Sequence, residues 1–308
     1  MGSKELARLI ENIERVIVGK TETVKFLLVG LLTNGHILIE DVPGLGKTTL
    51  ALALARSINA DFKRIQFTPD LLPSDITGGF VYNPKSGEFD FKPGPVFTNI
   101  LLADEVNRTT PRSQSALLEC MQEYRVSVDG KTFTLPYPFM VIATQNPIEY
   151  QGTYPLPEAQ IDRFLMKIDM GYLQVEDEVK VVSGQKLQHP LEQLQPVLRI
   201  EDVLNLQDAV KKIQISSSVM EYIVRLVSAT RNTESIRLGA SPRASIALMK
   251  AGSAWALMHD RDYVVPDDVA KLAPLILKHR IVLQPKALIA GNSTGSVIQE
   301  LLKTTAIP

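Results

Sequence analysis

Residues 41–48 read Asp41-Val42-Pro43-Gly44-Leu45-Gly46-Lys47-Thr48. They stand between an apolar run, His36-Ile37-Leu38-Ile39-Glu40, and a helix-like run, Thr49-Leu50-Ala51-Leu52-Ala53-Leu54-Ala55-Arg56. Strand, glycine-containing loop, helix is the context a phosphate-binding loop requires. Backbone N–H groups of such a loop and of the first helical turn converge on one spot and form a site for phosphate oxygens. Lys47 can reach β- and γ-phosphates, and the Thr48 hydroxyl can ligate Mg²⁺. Pro43, Gly44, Leu45, Gly46, Lys47, Thr48 and Thr49 are therefore the candidate nucleotide-contacting residues. The strict pattern begins with glycine; here that position is Asp41. The plainer reading is a glycine turn between a core strand and a core helix with an incidental lysine, so the rest of the chain must decide.

With 308 residues the chain is long enough for one large domain or two, and for a substantial core. A net charge of −1 supplies no global basic field to attract nucleic acid. The single cysteine, Cys120, excludes an internal disulfide and suits a reducing compartment. It lies in an apolar helical stretch, as a small core residue would. Four scattered histidines offer no metal-ligand spacing. The apolar run 26–32 is too short to span a bilayer, and the N-terminus alternates charged and apolar residues like a surface helix. A cytoplasmic protein is expected.

Strand-like runs at 36–40, 63–67, 99–104, 139–144 and 165–169 alternate with helical patterns at 21–33, 47–58 and 111–123. Thr110-Pro111 reads as an N-cap followed by proline at the first helical position. Such alternation predicts an α/β fold, a mostly parallel sheet with helices on both faces. Two hairpins interrupt it. One covers 78–94, with turn chemistry at Asn83-Pro84-Lys85-Ser86-Gly87. The other covers 125–135 around Asp129-Gly130, a type I′ signal. Beyond about residue 175 strand signals fade. His189-Pro190 and Gln195-Pro196 mark a linker, and helices are expected at 201–212, 216–231, 242–258 and 266–278. The chain thus divides into a core, 1–190, and a smaller all-α domain, 191–308. Trp255 shares helical spacing with Leu248, Ala251 and Met258, as a core residue would.

Asn99-Ile100-Leu101-Leu102-Ala103-Asp104-Glu105 is an apolar strand ending in two acids. Beside a phosphate loop these can divide the work: Asp104 holds Mg²⁺ and Glu105 polarises a water for in-line attack on the γ-phosphate. A second strand, 139–144, ends in a polar cluster in which Asn146 can orient that water or touch the γ-phosphate.

The strand-Asp104-Glu105 unit followed by Asn146 resembles the Walker B and sensor-1 arrangement of AAA+ ATPases. The stretches 104–108 (Asp-Glu-Val-Asn-Arg), 115–123, 143–149 (Ala-Thr-Gln-Asn-Pro-Ile-Glu) and 152–164 resemble the MoxR family in that class. The resemblance runs from about Val16 to about Asp268. Cys120 and Leu173 depart from it at positions remote from the chemistry. It implies a P-loop AAA+ core followed by a helical lid. Arg163 falls where such ATPases carry the arginine finger, which reaches the neighbouring subunit's site, with Arg108 the second candidate. Arg243, after the helix-opening Ser241-Pro242, matches the sensor-2 position, where a lid arginine touches the γ-phosphate of its own subunit. Val18 and Gly19 lie in the stretch that borders the adenine. The hairpins occupy the places of pore-facing inserts, so Phe80, Tyr82, Phe89 and Phe91 are candidate client contacts; packing within the hairpin itself is the other reading.

By that resemblance the protein is expected to hydrolyse ATP with Mg²⁺, to form a homo-oligomeric, hexameric ring, and to remodel a protein client in a chaperone-like way. A von Willebrand factor A domain protein is the expected partner. Two other readings remain at this point. One is a nucleic-acid-stimulated motor, against which the near-neutral charge counts. The other is a nucleotide-gated scaffold with little hydrolysis.

Overall fold

The computed structural model describes residues 2–42, 44–146, 153–184 and 190–307. Pro43, residues 147–152 of the motif stretches and His189 of the linker therefore lie outside the described residues.

The chain opens with α1 (Gly2–Glu14), whose Leu6, Leu9 and Ile13 are buried, and α2 (Thr21–Leu32). The expected surface helix thus has one fully buried face. β1 (Ile37–Glu40) leads through the phosphate loop into α3 (Lys47–Ser57), followed by β2 (Phe62–Gln66) and the short α4 (Pro73–Thr77). A hairpin of β3 (Gly78–Asn83) and β4 (Glu88–Pro93) precedes β5 (Ile100–Asp104) and α5 (Pro111–Glu123). A second hairpin, β6 (Arg125–Val128) and β7 (Lys131–Thr134), leads to β8 (Met140–Gln145), α6 (Glu158–Ile161), β9 (Met166–Ile168) and α7 (Val175–Gly184).

Five of these strands form one parallel sheet in the order β2-β5-β8-β1-β9. Parallel strands are buried on both faces, and the apolar runs of β1, β5 and β8 are accordingly inaccessible. Ile37, Ile39, Ile100, Leu102, Met140 and Ile142 face α1–α3 and the C-terminal helices. Leu38, Leu101, Ala103, Val141 and Ala143 face α4 and α5. β2 is the exception: it is an edge strand, and Lys63, Arg64 and Gln66 are exposed. At α5 the expectation holds for Pro111 at the first helical position. Thr110 occupies the cap position, but its side chain makes no capping bond; its carbonyl accepts from Ser113 N and Gln114 N.

Both hairpins form where expected. Asp129 (φ +48°) and Gly130 (φ +76°) supply the two left-handed residues of a tight turn. The aromatics divide between the two readings. Phe91 stacks on Phe133 of the other hairpin (3.8 Å between ring centroids, 8° between planes), and Phe80 lies against both. Tyr82 and Phe89 are 54% and 65% exposed. One pair thus ties the hairpins together while the other faces solvent.

The remainder is helical: α8 (Ile200–Lys211), α9 (Ser217–Asn232), α10 (Pro242–Met258), α11 (Pro266–Leu277), α12 (Pro285–Ile289) and α13 (Thr294–Thr304). Ser216 and Ser241 cap α9 and α10 by accepting from Val219 N and Arg243 N. Trp255 is buried and stacks on Phe26 of α2. A short ribbon of β10 (Ile236–Leu238) and β11 (Val282–Leu283), plus α12 and α13, were not anticipated. The apolar packing is continuous from the sheet through α1 to α8–α11.

Candidate functional site

The C-terminal ends of β1, β5 and β8 lie side by side, because the register pairs Glu40 with Gln145 and Ala103 with Ala143. Ligands of open parallel sheets bind beyond those ends. The phosphate loop follows β1, Asp104 ends β5 with Glu105 next to it, and Asn146 follows β8, so the sheet brings together three stretches far apart in sequence. Gly44 and Gly46 have φ of +88° and +84°, and a Cβ built on either would meet nothing within 4 Å. The backbone conformation requires glycine, and the space above it is open. Lys47 and Thr48 begin α3 directly behind this cradle.

Lys47 Nζ donates to the main-chain oxygen of Asp41 at 2.7 Å. Burial lowers its pKa, and the negative charges of Asp104, Asp41 and Glu105 oppose that shift. Asp104 accepts from the Thr144 hydroxyl at 2.6 Å and from Arg64 at 2.7 Å. Glu105 has φ +58°, and its N–H donates to Thr144 Oγ1 at 2.8 Å. Its Oε2 accepts from Gln66 (2.8 Å) and Arg108 (2.9 Å). Arg108 is thus bound to the glutamate of its own chain. Asn146 is buried beside Glu105's strand end, and its carbonyl lies 3.5 Å from Asn107 Nδ2.

Beyond the glycines a cleft of about 430 Å³ opens, lined by Val18, Gly44, Leu45, Gly46, Thr49 and the residues after β9. Gly19 (φ +71°) abuts α7 closely: a Cβ there would fall 2.3 Å from Asp177 Oδ2. The cleft is continuous with the cradle, since Gly44 and Gly46 line it. Mg²⁺ takes one or two carboxylates plus phosphate oxygens and water. Thr48 and Asp104 fit that donor set. Among the described residues no cluster of three or more His, Cys, Asp or Glu competes for a cation.

Arg163 and Arg243 are not at this end of the sheet. Leu165 N donates to the carbonyl of His36, so the Asp162–Leu165 segment sits at the N-terminal ends of β1 and β9. Arg163 and Arg243 line one cleft there, with Asn34, Tyr124 and Lys250. Asp162 gathers the lid: its carboxylate accepts from Ser241 Oγ (2.9 Å) and Arg280 Nε (2.7 Å), and lies 3.7 Å from Arg243. The expectation that Arg243 reaches the γ-phosphate of its own subunit is therefore corrected for this conformation. The start of α10 is anchored to Asp162, across the sheet from Lys47. Arg163 Nε is buried without a hydrogen-bond partner.

Sequence reasoning missed Gln66, Arg64 and Thr144, which hold the acidic pair, and Asp162 and Arg280, which hold the lid. Thr144 and Gln66 stand at strand ends adjoining Asp104, a cue visible only once strand order is known. Cys120 is buried, and burial pushes its pKa up to about 12, so it is inert packing as expected.

Residues 36–166 match the family model for the "ATPase family associated with various cellular activities (AAA)", and 228–301 match the AAA lid domain. The uncharacterized protein YeaC of Bacillus subtilis (strain 168) is 54% identical over 98% of this chain and 95% of its own. The chaperone MoxR1 of Mycobacterium tuberculosis (strain ATCC 25618 / H37Rv) is 46% identical over 98% of this chain and 82% of its own. A crystal structure of a Cytophaga hutchinsonii protein assigned as an ATPase superposes with a TM-score of 0.92 at 44% identity, covering 100% of this chain and 96% of that one. Phosphate cradle, acidic strand end, lid and relatives agree: the chain belongs to the MoxR family of AAA+ ATPases.

Proposed function

We propose that this protein is a Mg²⁺-dependent ATPase that works as a homo-oligomeric ring and remodels a protein client in a chaperone-like manner. One observation carries the reading. The phosphate cradle with Lys47, Asp104, Glu105 and Asn146 lies at the C-terminal ends of the strands, while Arg163 and Arg243 lie at their N-terminal ends. In this conformation a single chain holds both halves of a site apart, and a neighbouring chain that presents its strands' N-terminal ends to this cradle would join them.

In that arrangement Lys47 and the loop N–H groups hold the phosphates, and Thr48 and Asp104 hold Mg²⁺, whose charge would offset that building on the phosphate oxygens. Glu105 accepts the proton of the attacking water once its carboxylate leaves Gln66 and Arg108. Asn146 orients that water. Arg163, joined by Arg243, comes from the adjacent subunit and meets the charge spread over the transferring phosphoryl group, a contribution of about 10³–10⁵ in rate for such a finger. Val18 and Gly19 border the base.

The exposed Tyr82 and Phe89 suit contact with a client chain. Core (1–190) and lid (191–308) are the two bodies that hydrolysis would move against each other. A hexamer, a von Willebrand factor A domain partner and a cytoplasmic location complete the reading by family resemblance. Among the described residues no helix is long and apolar enough to cross a membrane.

ATP turnover measured against protein concentration, with light scattering at each point, tests this. Turnover per subunit should rise as rings form, and Arg163→Ala should assemble yet stall. Turnover that is flat from monomer upward, with Arg163→Ala indifferent, rejects the shared site.

A further inference from the structure

Asp41 stands where the strict phosphate-loop pattern has glycine, and its bonds give the exchange a purpose. One carboxylate oxygen accepts from its neighbour Val42 N at 2.9 Å. The other accepts from two consecutive amides, Met170 N at 2.8 Å and Gly171 N at 2.7 Å. The carbonyls of the same segment are taken by Lys20, whose ammonium donates to Met170 O (2.6 Å), Gly171 O (3.0 Å) and Tyr172 O (2.8 Å). An anion on the amides and a cation on the carbonyls grip residues 170–172, which belong to no helix or strand.

That segment walls the cleft beyond the glycines, opposite Val16–Val18 and next to α7. Met170 is buried in the core while Tyr172 is 77% exposed, so apolar packing anchors only the start of the segment and the polar bonds hold the rest. Asp41 also touches the phosphate end, because its main-chain oxygen accepts from Lys47. One residue thus joins the lysine that reads phosphate to the wall at the far end of the cleft.

We propose that Asp41 and Lys20 are positioning residues for the nucleoside end of a bound nucleotide. They hold Met170–Tyr172 as the wall against which the base lies, without themselves binding phosphate. The proposal rests on the nucleotide-binding reading of the cleft. Removing either partner takes away the bonds that fix Gly171 and Tyr172 relative to the phosphate loop, so that part of the wall loses its set position.

Calorimetric titration of the full chain with MgADP and with magnesium tripolyphosphate, which has phosphates but no nucleoside, tests it. Asp41→Gly and Lys20→Met should each weaken MgADP about tenfold or more, while tripolyphosphate affinity stays within about twofold. Lys20→Arg, which can still donate to carbonyls, should retain most of the MgADP affinity. Asp41→Asn, which keeps the shape and one acceptor, serves if the glycine variant does not fold. Unchanged MgADP binding overturns the proposal. So does parallel loss of both ligands, which would make Asp41 part of the phosphate loop's own architecture. If the wild type binds neither ligand, the nucleotide reading itself fails.

Discussion

Glu105 shows how much of a residue's role is set by neighbours distant in sequence. Its position after an apolar strand makes it the candidate base, but its left-handed backbone and its bonds to Gln66 and Arg108 are tertiary facts. Glu105→Gln keeps the shape and an acceptor but removes the group that takes the proton. Phosphate release should fall about 10²–10⁴-fold while MgATP still binds. Turnover at the wild-type rate would take the role of base away from Glu105. Asp41 shows the reverse case. It looked like a defect in a motif and proves to be the most connected residue of the loop.

At the scale of elements, His36 couples three of them. From the entry to β1 its Nδ1 accepts from Val141 N of β8, which leaves Nε2 to donate to Met121 O of α5. Burial pushes its pKa down to about 4 from an ordinary 6.5. Below pH 6.5 the unfolded chain takes up a proton that the folded chain refuses. Stability is therefore fully present above pH 6.5, falls between 6.5 and 4, and levels off below, a total of about 3 kcal/mol. His279, also driven down by burial, adds in the same direction. Urea midpoints at pH 7.5 and pH 5 should differ in the wild type, and less so in His36→Gln; equal slopes in the two proteins would show that His36 titrates normally. The hairpins were legible as elements from Asp129-Gly130 and the 83–87 turn. The stacking of Phe91 on Phe133, which joins them, was not, because alternation says which face a ring is on but not what it meets.

For the whole molecule the decisive contact is between Asp162 and Arg280. The guanidinium is almost fully buried and also donates to the carbonyl of Leu165 at 2.9 Å, binding the end of α11 to the strand entering the core sheet. Breaking a buried pair by removing one partner costs about 3–5 kcal/mol, so Arg280→Ala should lower stability by that order. Hydrogen exchange should quicken at α10 and α11 before the sheet. A loss below about 1 kcal/mol would mean the pair behaves as a solvated one. The same carboxylate, through Ser241 and Arg243, holds the start of α10 on the Arg163 side of the molecule, which is why the lid arginine does not meet its own phosphate loop here.

Local chemistry decided what the chain could say by itself. The glycine loop after an apolar strand, the acids at the end of another, the turn residues of both hairpins and the Ser241 cap of α10 are all short-range features. Their positions in the sequence predicted a mostly parallel sheet, the hairpin inserts and most of the C-terminal helices. Strand order, and everything that depends on which ends become neighbours, was left to the tertiary structure. The order β2-β5-β8-β1-β9 sets Gln66 and Arg64 against the acidic pair and Asp41 against Met170 and Gly171. Asp162 holds the lid arginine at the N-terminal ends of the strands. These are long-range pairings between polar side chains, and spacing along one chain carries no information about them.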